Sequence, residues 1–317
     1  MPPDQLTILH AIILGIVEGV TEYLPISSTG HLIITSAILG LDEPPEQKAA
    51  VDAFSIVIQG GAILAVLGLY WKRVRQMILG LLGRHRTGLR LFANLVIAFL
   101  PAAVLGVLLD NWIESTLFYP VPVMSALAVG GILMIAIGPW QKRRFHGDAR
   151  GNAHDAFSFV DIEHLTWRRA LVIGCLQCIA MWPGTSRSMI TIVGGMLVGL
   201  RPRQAAEFSF LLGLPTLGGA CVFKGAKNIL ADGPNMFEQL GALPLVIGIL
   251  VAMIAAALAI KWLVGYLSTH GLAVFGWYRL ILAAVIALLI YATGTLRIAP
   301  PEEFIALPAS SPHVLTD

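Results

Sequence analysis

The chain has 317 residues, a formal net charge of +2, 56% hydrophobic residues and only 13% charged ones. Soluble domains carry about 25% charged residues, so this chain has too few to coat a water-facing surface, and a soluble globular domain is excluded. The net charge itself argues neither for nor against nucleic acid; the informative quantity is where the cations sit.

The first apolar region, 8–41, has no basic segment before it of the kind that precedes a cleaved signal peptide, and it carries Glu18 and Glu22, so it is expected to belong to the mature protein. It is interrupted by Pro25-Ile26-Ser27-Ser28-Thr29-Gly30. Proline removes a helical hydrogen bond and glycine relaxes the backbone, so this region reads as helix, break, helix. Clean apolar spans follow at 54–70, 89–109 and 121–138, each near the ~20 residues that cross a bilayer. A second interrupted region, 171–200, breaks at Pro183-Gly184-Thr185-Ser186-Arg187-Ser188, and three more clean spans run over 206–223, 243–264 and 278–296. Irregular backbone is tolerated at membrane depth only where protein or a water-filled cavity satisfies it.

The cations orient these spans. Lys72, Arg73, Arg75, Arg84, Arg86 and Arg90 fill one loop, and Lys142, Arg143, Arg144, Arg150, Arg168 and Arg169 fill another. The positive-inside rule puts both in the cytoplasm. The segment 110–119 between them carries Asp110 and Glu114 and no Lys or Arg, as expected of the outer face. Counting crossings then places both termini outside and makes each interrupted region re-entrant, the first from outside and the second from the cytoplasm. An offset of 159 positions lays 15–41 on 174–200 without a gap, matching Gly15 to Gly174, Glu18 to Gln177 and Ser27 to Ser186. The expected fold is an all-α integral membrane protein, with six transmembrane helices plus two re-entrant helical hairpins arranged as an inverted-topology repeat. It forms one polytopic domain over 1–298, with halves at 5–140 and 164–298, a cytoplasmic loop at 141–163 and a disordered tail at 299–317.

Glu18 and Glu22 are four apart, on one face of the first half-helix and one turn before its break. Carboxylates inside an apolar segment line a cavity or pair with a cation, and Arg187 in the second break is the candidate partner; the bland alternative is a structural clamp. Seven hydroxyls gather at the two breaks: Ser27, Ser28, Thr29, Thr185, Ser186, Ser188 and Thr191. A new helix starts after each break, and its free N–H groups and dipole favour an anion. Gly30 and Gly184 admit close backbone approach, and a guanidinium binds two phosphate oxygens at once. The set suits phosphate. His31, three residues from Ser28, could take the proton of an attacking serine or protonate a leaving group. Two carboxylates beside a diphosphate would repel it unless a divalent cation bridged them, so Glu18 and Glu22 are the metal candidates.

Other features read as bland. Cys175, Cys178 and Cys221 are expected to be small thiols packed between helices; the C-x-x-C lacks partners for zinc and a thioredoxin context. Gln59-Gly60-Gly61 either packs helices closely or lines the cavity, and Trp71, Trp112, Trp140 and Trp277 are expected interfacial anchors.

On Glu18-Gly19-Val20-Thr21-Glu22-Tyr23-Leu24-Pro25-Ile26-Ser27-Ser28-Thr29-Gly30-His31 and Pro183-Gly184-Thr185-Ser186-Arg187-Ser188 with Thr191, the sequence resembles the bacterial undecaprenyl-diphosphate phosphatase family of the bacitracin-resistance type. The resemblance implies hydrolysis of undecaprenyl diphosphate to the monophosphate, recycling the lipid carrier of cell-wall synthesis, and bacitracin resistance. It further implies Mg²⁺ or Ca²⁺, residence in the plasma (inner) membrane with a site open to the periplasm, and no nucleic acid; it leaves room for a homodimer. By matching positions, Ser28 is the candidate nucleophile, Glu22 and His31 acid/base or metal-linked partners, and Arg187 the phosphate clamp; Glu18, Ser186 and Thr191 also match functional positions. The sequence departs at Met189, where glycine is expected, in a longer loop at 145–163, and in its C-terminal tail. The residues leave open whether Ser28 or a water attacks. The competing reading is a transporter or flippase for a polyprenyl phosphate, since inverted repeats with broken helices are transporter architecture.

Overall fold

The computed structural model describes residues 6–41, 45–145, 159–230 and 241–293. The expected tail at 299–317 and most of the expected loop at 141–163 lie outside these. Eleven α-helices are described: α1 (Ile8–Tyr23), α2 (Ser28–Ile38), α3 (Pro45–Leu69), α4 (Trp71–Leu81), α5 (Arg86–Leu117), α6 (Pro120–Phe145), α7 (Trp167–Gln177), α8 (Arg187–Leu197), α9 (Pro202–Leu230), α10 (Ala242–Leu267) and α11 (Ala273–Thr293), with 3₁₀ turns at Ile162–His164 and Cys178–Met181. No strand occurs among the described residues. Six of the helices, α3, α5, α6, α9, α10 and α11, are long and apolar enough to cross a membrane, and they coincide with the six expected spans.

Two boundaries differ from expectation. Helix α6 continues through Lys142, Arg143 and Arg144 to Phe145, so the loop starts later than 141. The first basic segment is not all loop: Trp71–Leu81 is helix α4, with Met77 buried and Trp71, Ile78 and Leu81 exposed. Its apolar residues recur at helical spacing among the cations, the pattern of a helix lying along an interface.

Charges mark the two ends of the bundle. At one, Arg73 pairs with Glu163 and donates from Nε to Glu207 Oε1 at 2.7 Å, tying α4 to the start of α9. Burial alone would lower the Arg73 pKa, but the two carboxylates outweigh it and raise it. At the other, Lys224 near the end of α9 lies 3.0 Å from Glu114 and 3.8 Å from Asp110 at the end of α5.

The packing is reciprocal. Helix α1 lies along α10 while α7 lies along α5; α3 touches α10 while α9 touches α5; α6 pairs with α11, and α3 with α9. Small residues permit the closest of these approaches. A Cβ on Gly131 of α6 would come 2.8 Å from the Gly276 carbonyl, and one on Gly276 of α11 would come 2.6 Å from the Gly131 carbonyl. Lipid supplies no hydrophobic drive between helices, so such backbone contact is how membrane helices gain packing energy.

Candidate functional site

Both interrupted regions fold as helix, break, helix. Helix α1 ends at Tyr23 and α2 begins at Ser28; α7 passes through the 3₁₀ turn Cys178–Met181, and α8 begins at Arg187. At the N-cap of α2, Ser27 has φ 74° and ψ 104°; at the N-cap of α8, Ser186 has φ 73° and ψ 109°. These are the two non-glycine residues with positive φ among the described residues. L-residues in such conformations cost about 1–3 kcal/mol each and persist where the surroundings over-determine them.

The breaks meet. Arg187 Nη2 donates to Glu22 Oε1 at 3.0 Å, and Ser28 Oγ donates to Glu22 Oε2 at 2.7 Å, so each oxygen of one carboxylate binds a different candidate residue. Arg187 Nη1 donates to the Ser209 carbonyl of α9 at 2.9 Å, and its guanidinium lies 5.5 Å from the Tyr23 ring centroid. Ser188 Oγ reaches back to the Leu24 carbonyl at 2.9 Å and closes the two breaks on each other. Between them is a cavity of about 150 Å³ whose polar wall includes Glu22, Ser27, Ser28, Thr29, Ser186 and Arg187, with Gly184 and Gln59 completing it. The first turns of α2 and α8 thus supply wall residues, and Ser27 makes no side-chain cap of its own helix.

The remaining expected residues stand behind this wall. Gly30 packs against Leu127, and Thr191 donates to the Arg187 carbonyl at 2.8 Å while sharing a 2.6 Å hydrogen bond with Ser209 Oγ. Thr185 is buried and contributes its carbonyl to Arg279. Ser188 is spent on Leu24 and on a 3.0 Å contact with Ser186 Oγ. His31 does not meet Ser28: its Nδ1 faces the Ser27 carbonyl and its Nε2 the Tyr278 hydroxyl, each at 2.7 Å. A carbonyl only accepts, so Nδ1 carries the proton and, in the neutral ring, Nε2 accepts from Tyr278. Met189, where glycine was expected, sits in a regular helix with its side chain fully buried and its N–H capped by Ser186 Oγ at 3.3 Å.

Glu18 is 1% exposed, and its Oε1 has no hydrogen-bond partner among the described residues. No cluster of three or more His, Cys, Asp or Glu is found among them either. A hard cation held by one or two carboxylates takes the rest of its shell from water and substrate phosphate. The orphaned oxygen of Glu18, with the Glu22 carboxylate one turn on, fits that kind of cation.

Reasoning from the sequence missed Tyr278, Arg279 and Ser209. Arg279 is fully buried within a span read as cleanly apolar; a lone cation there was itself a signal. Gln59 does line the cavity, while Gly61 packs against α10, so both readings of that motif hold. The cysteines are free, but Cys175 is exposed on the outside of the bundle rather than packed within it.

A polytopic helical membrane protein with an ion-paired, hydroxyl-lined cavity between two strained helix breaks is the class these features define. The sequence model of the family described as "Bacitracin resistance protein BacA" matches residues 11–285. An undecaprenyl-diphosphatase of Sorangium cellulosum is 46% identical over 278 residues, 87% of this chain and 84% of that protein. One of Azotobacter vinelandii is 44% identical over 272 residues (86% and 90%), and one of Deinococcus deserti 42% over 292 residues (91% and 97%). The chain belongs to the bacitracin resistance protein BacA family.

Proposed function

We propose that this protein hydrolyses undecaprenyl diphosphate to undecaprenyl phosphate and inorganic phosphate, and that the cavity between the breaks is where the diphosphate reacts. The observation that carries this is Glu22, whose two oxygens hold Ser28 and Arg187, a nucleophile and an anion clamp, at 2.7 and 3.0 Å. The names of its relatives agree with it. Ser28 Oγ attacks the terminal phosphorus as the anhydride P–O bond breaks; Glu22 takes the hydroxyl proton and passes it to the departing undecaprenyl phosphate. Water then cleaves the phosphoserine, and its proton returns through Glu22 to Ser28. Arg187 and the N-terminal turns of α2 and α8 stabilise charge spreading over the phosphoryl oxygens. Glu18 and Glu22 would hold a divalent cation, Mg²⁺ or Ca²⁺, which when bound would supply Lewis-acid stabilisation to the diphosphate.

The two half-helix pairs read as re-entrant hairpins in an inverted repeat. The equal strain at Ser27 and Ser186, 159 positions apart, supports this, as does the reciprocal packing of α1 on α10 and α7 on α5. With the α4 end in the cytoplasm of a bacterial inner membrane, the site opens to the periplasm. Gly184 lies against the Val123 carbonyl, three residues into α6 at the acidic end, in keeping with that access.

The test is phosphate release from undecaprenyl diphosphate by purified protein with Mg²⁺ and by its Ser28→Ala variant. No release from the wild type sinks the enzyme reading; undiminished release from the variant sinks Ser28 as nucleophile. The repeat also suits a carrier, so prenyl phosphate flux in vesicles holding the Ser28→Ala variant would reveal transport that survives loss of hydrolysis.

A further inference from the structure

Helix α11 reaches both strained breaks through two adjacent residues. Arg279 donates from Nη1 to the Thr185 carbonyl at 2.8 Å and from Nη2 to the Gly184 carbonyl at 2.9 Å. Its other bonds run to α6, from Nη2 to the Ala126 carbonyl at 2.9 Å and from Nε to the Leu127 carbonyl at 3.2 Å. The side chain is 0% exposed, and no carboxylate pairs with it among the described residues. A buried cation without a counter-ion is expensive in a membrane; here four carbonyl dipoles compensate it, and two belong to the residues immediately before Ser186. Gly130 makes the room, for a Cβ there would run into the guanidinium. One residue earlier, Tyr278 holds His31 Nε2, and His31 Nδ1 in turn holds the carbonyl of Ser27, the strained residue of the first break.

We propose that Tyr278 and Arg279 are positioning residues that fix the two breaks relative to each other, Tyr278 acting through His31 on Ser27 and Arg279 acting on Gly184 and Thr185. Neither lines the cavity. Each holds a carbonyl at or beside the positive-φ serine, and directly after those serines come Ser28 and Arg187, the two groups that must meet on Glu22. One rigid helix thereby sets the distance between nucleophile and clamp. A lysine at 279 keeps the charge but presents a compact ammonium, which cannot span four carbonyls as the planar fork does.

This inference rests on the phosphatase reading for its kinetic arm alone. In nanodiscs, hydrogen exchange of the break amides is followed in wild type, Arg279→Lys and Tyr278→Phe. Losing a hydrogen-bonding partner should raise local opening roughly tenfold, at 184–186 for Arg279→Lys and at 26–29 for Tyr278→Phe. Unchanged exchange at both breaks overturns the proposal whether or not the protein is a phosphatase. In phosphate release, Arg279→Lys is expected to lower kcat by about 10²-fold with KM within about threefold, as misplacement of reacting groups does. Tyr278→Phe is expected to lower kcat by roughly tenfold in wild type and not at all in a His31→Ala background, since residues in one chain of contacts are non-additive. A full Tyr278→Phe loss on top of His31→Ala, or an Arg279→Lys kcat within twofold of wild type, also overturns it. Should Arg279→Lys fail to fold, the Tyr278→Phe pair decides, because that exposed side chain loses only a hydroxyl.

Discussion

At the first break the backbone passes through Ser27 at φ 74° and ψ 104°, and at the second through Ser186 at φ 73° and ψ 109°, yet the side chains around them differ in kind. Counting 159 positions from Ser28 reaches Arg187; from Glu22 it reaches Met181, and from Glu18, Gln177. The first break keeps carboxylates and a hydroxyl, while the second keeps the guanidinium and a neutral amide. Under the proposed mechanism, two similar turns, facing each other across one cavity, divide an acid/base and nucleophile half from an anion-binding half. Their caps differ too: Ser186 Oγ accepts from the Met189 N–H, while Ser27 makes no such bond.

That division is open to measurement, beginning with the largest effect. Glu22→Gln leaves one accepting oxygen where Ser28 and Arg187 use two, and removes the base and the counter-charge of Arg187 together, so phosphate release should fall by about 10³-fold or more; a fall below tenfold would remove Glu22 from the chemistry. Arg187→Lys keeps a charge but loses the fork, and a loss of about 10²-fold, in both kcat and KM, is expected of a clamp. A loss confined to melting temperature would make Arg187 structural. For the metal, chelation with EDTA should abolish release and Mg²⁺ or Ca²⁺ should restore it. Glu18→Gln should raise the metal concentration for half-maximal rate by about 10–100-fold, and an unchanged metal dependence would take Glu18 out of the cation site.

The smallest effect separates the breaks most finely. Ser27→Gly and Ser186→Gly both relieve a left-handed backbone, but only the second removes a cap. Against wild type in detergent melts, Ser186→Gly should be less stable than Ser27→Gly by a few tenths of a kcal/mol. Equal stabilities would mean that the two turns are alike in energy as well as in shape.

The breaks were legible because Pro, Gly and Ser cannot disguise themselves inside an apolar run, and Glu18, Glu22 and Arg187 stand out there as charges. Their meeting follows from the repeat that the 159-residue offset predicts, though contact at 3.0 Å does not. Three things were hidden. His31 read as a partner of Ser28 because it lies three residues on, but at a helix start that spacing turns its ring toward Tyr278 on α11. Tyr278 carries no local signature and Arg279 only that of a lone cation in an apolar run, and what each holds is decided by tertiary contacts. Helix α4 was masked because its cations match a loop's composition, although Trp71, Met77, Ile78 and Leu81 already repeat at helical spacing.

The ion pair between Glu22 and Arg187 spans 165 residues of sequence, which gives it a history during synthesis. At about 5–20 residues per second, the ribosome makes Arg187 roughly 8–33 seconds after Glu22. For that interval α1 is in the nascent chain with two carboxyl groups and no Arg187 to meet them, and α10, the helix it packs along, comes later still. The first helix therefore cannot settle into its final place when it emerges. It has to wait at the membrane, near water or in the care of the insertion machinery, until the second half arrives to neutralise and enclose it.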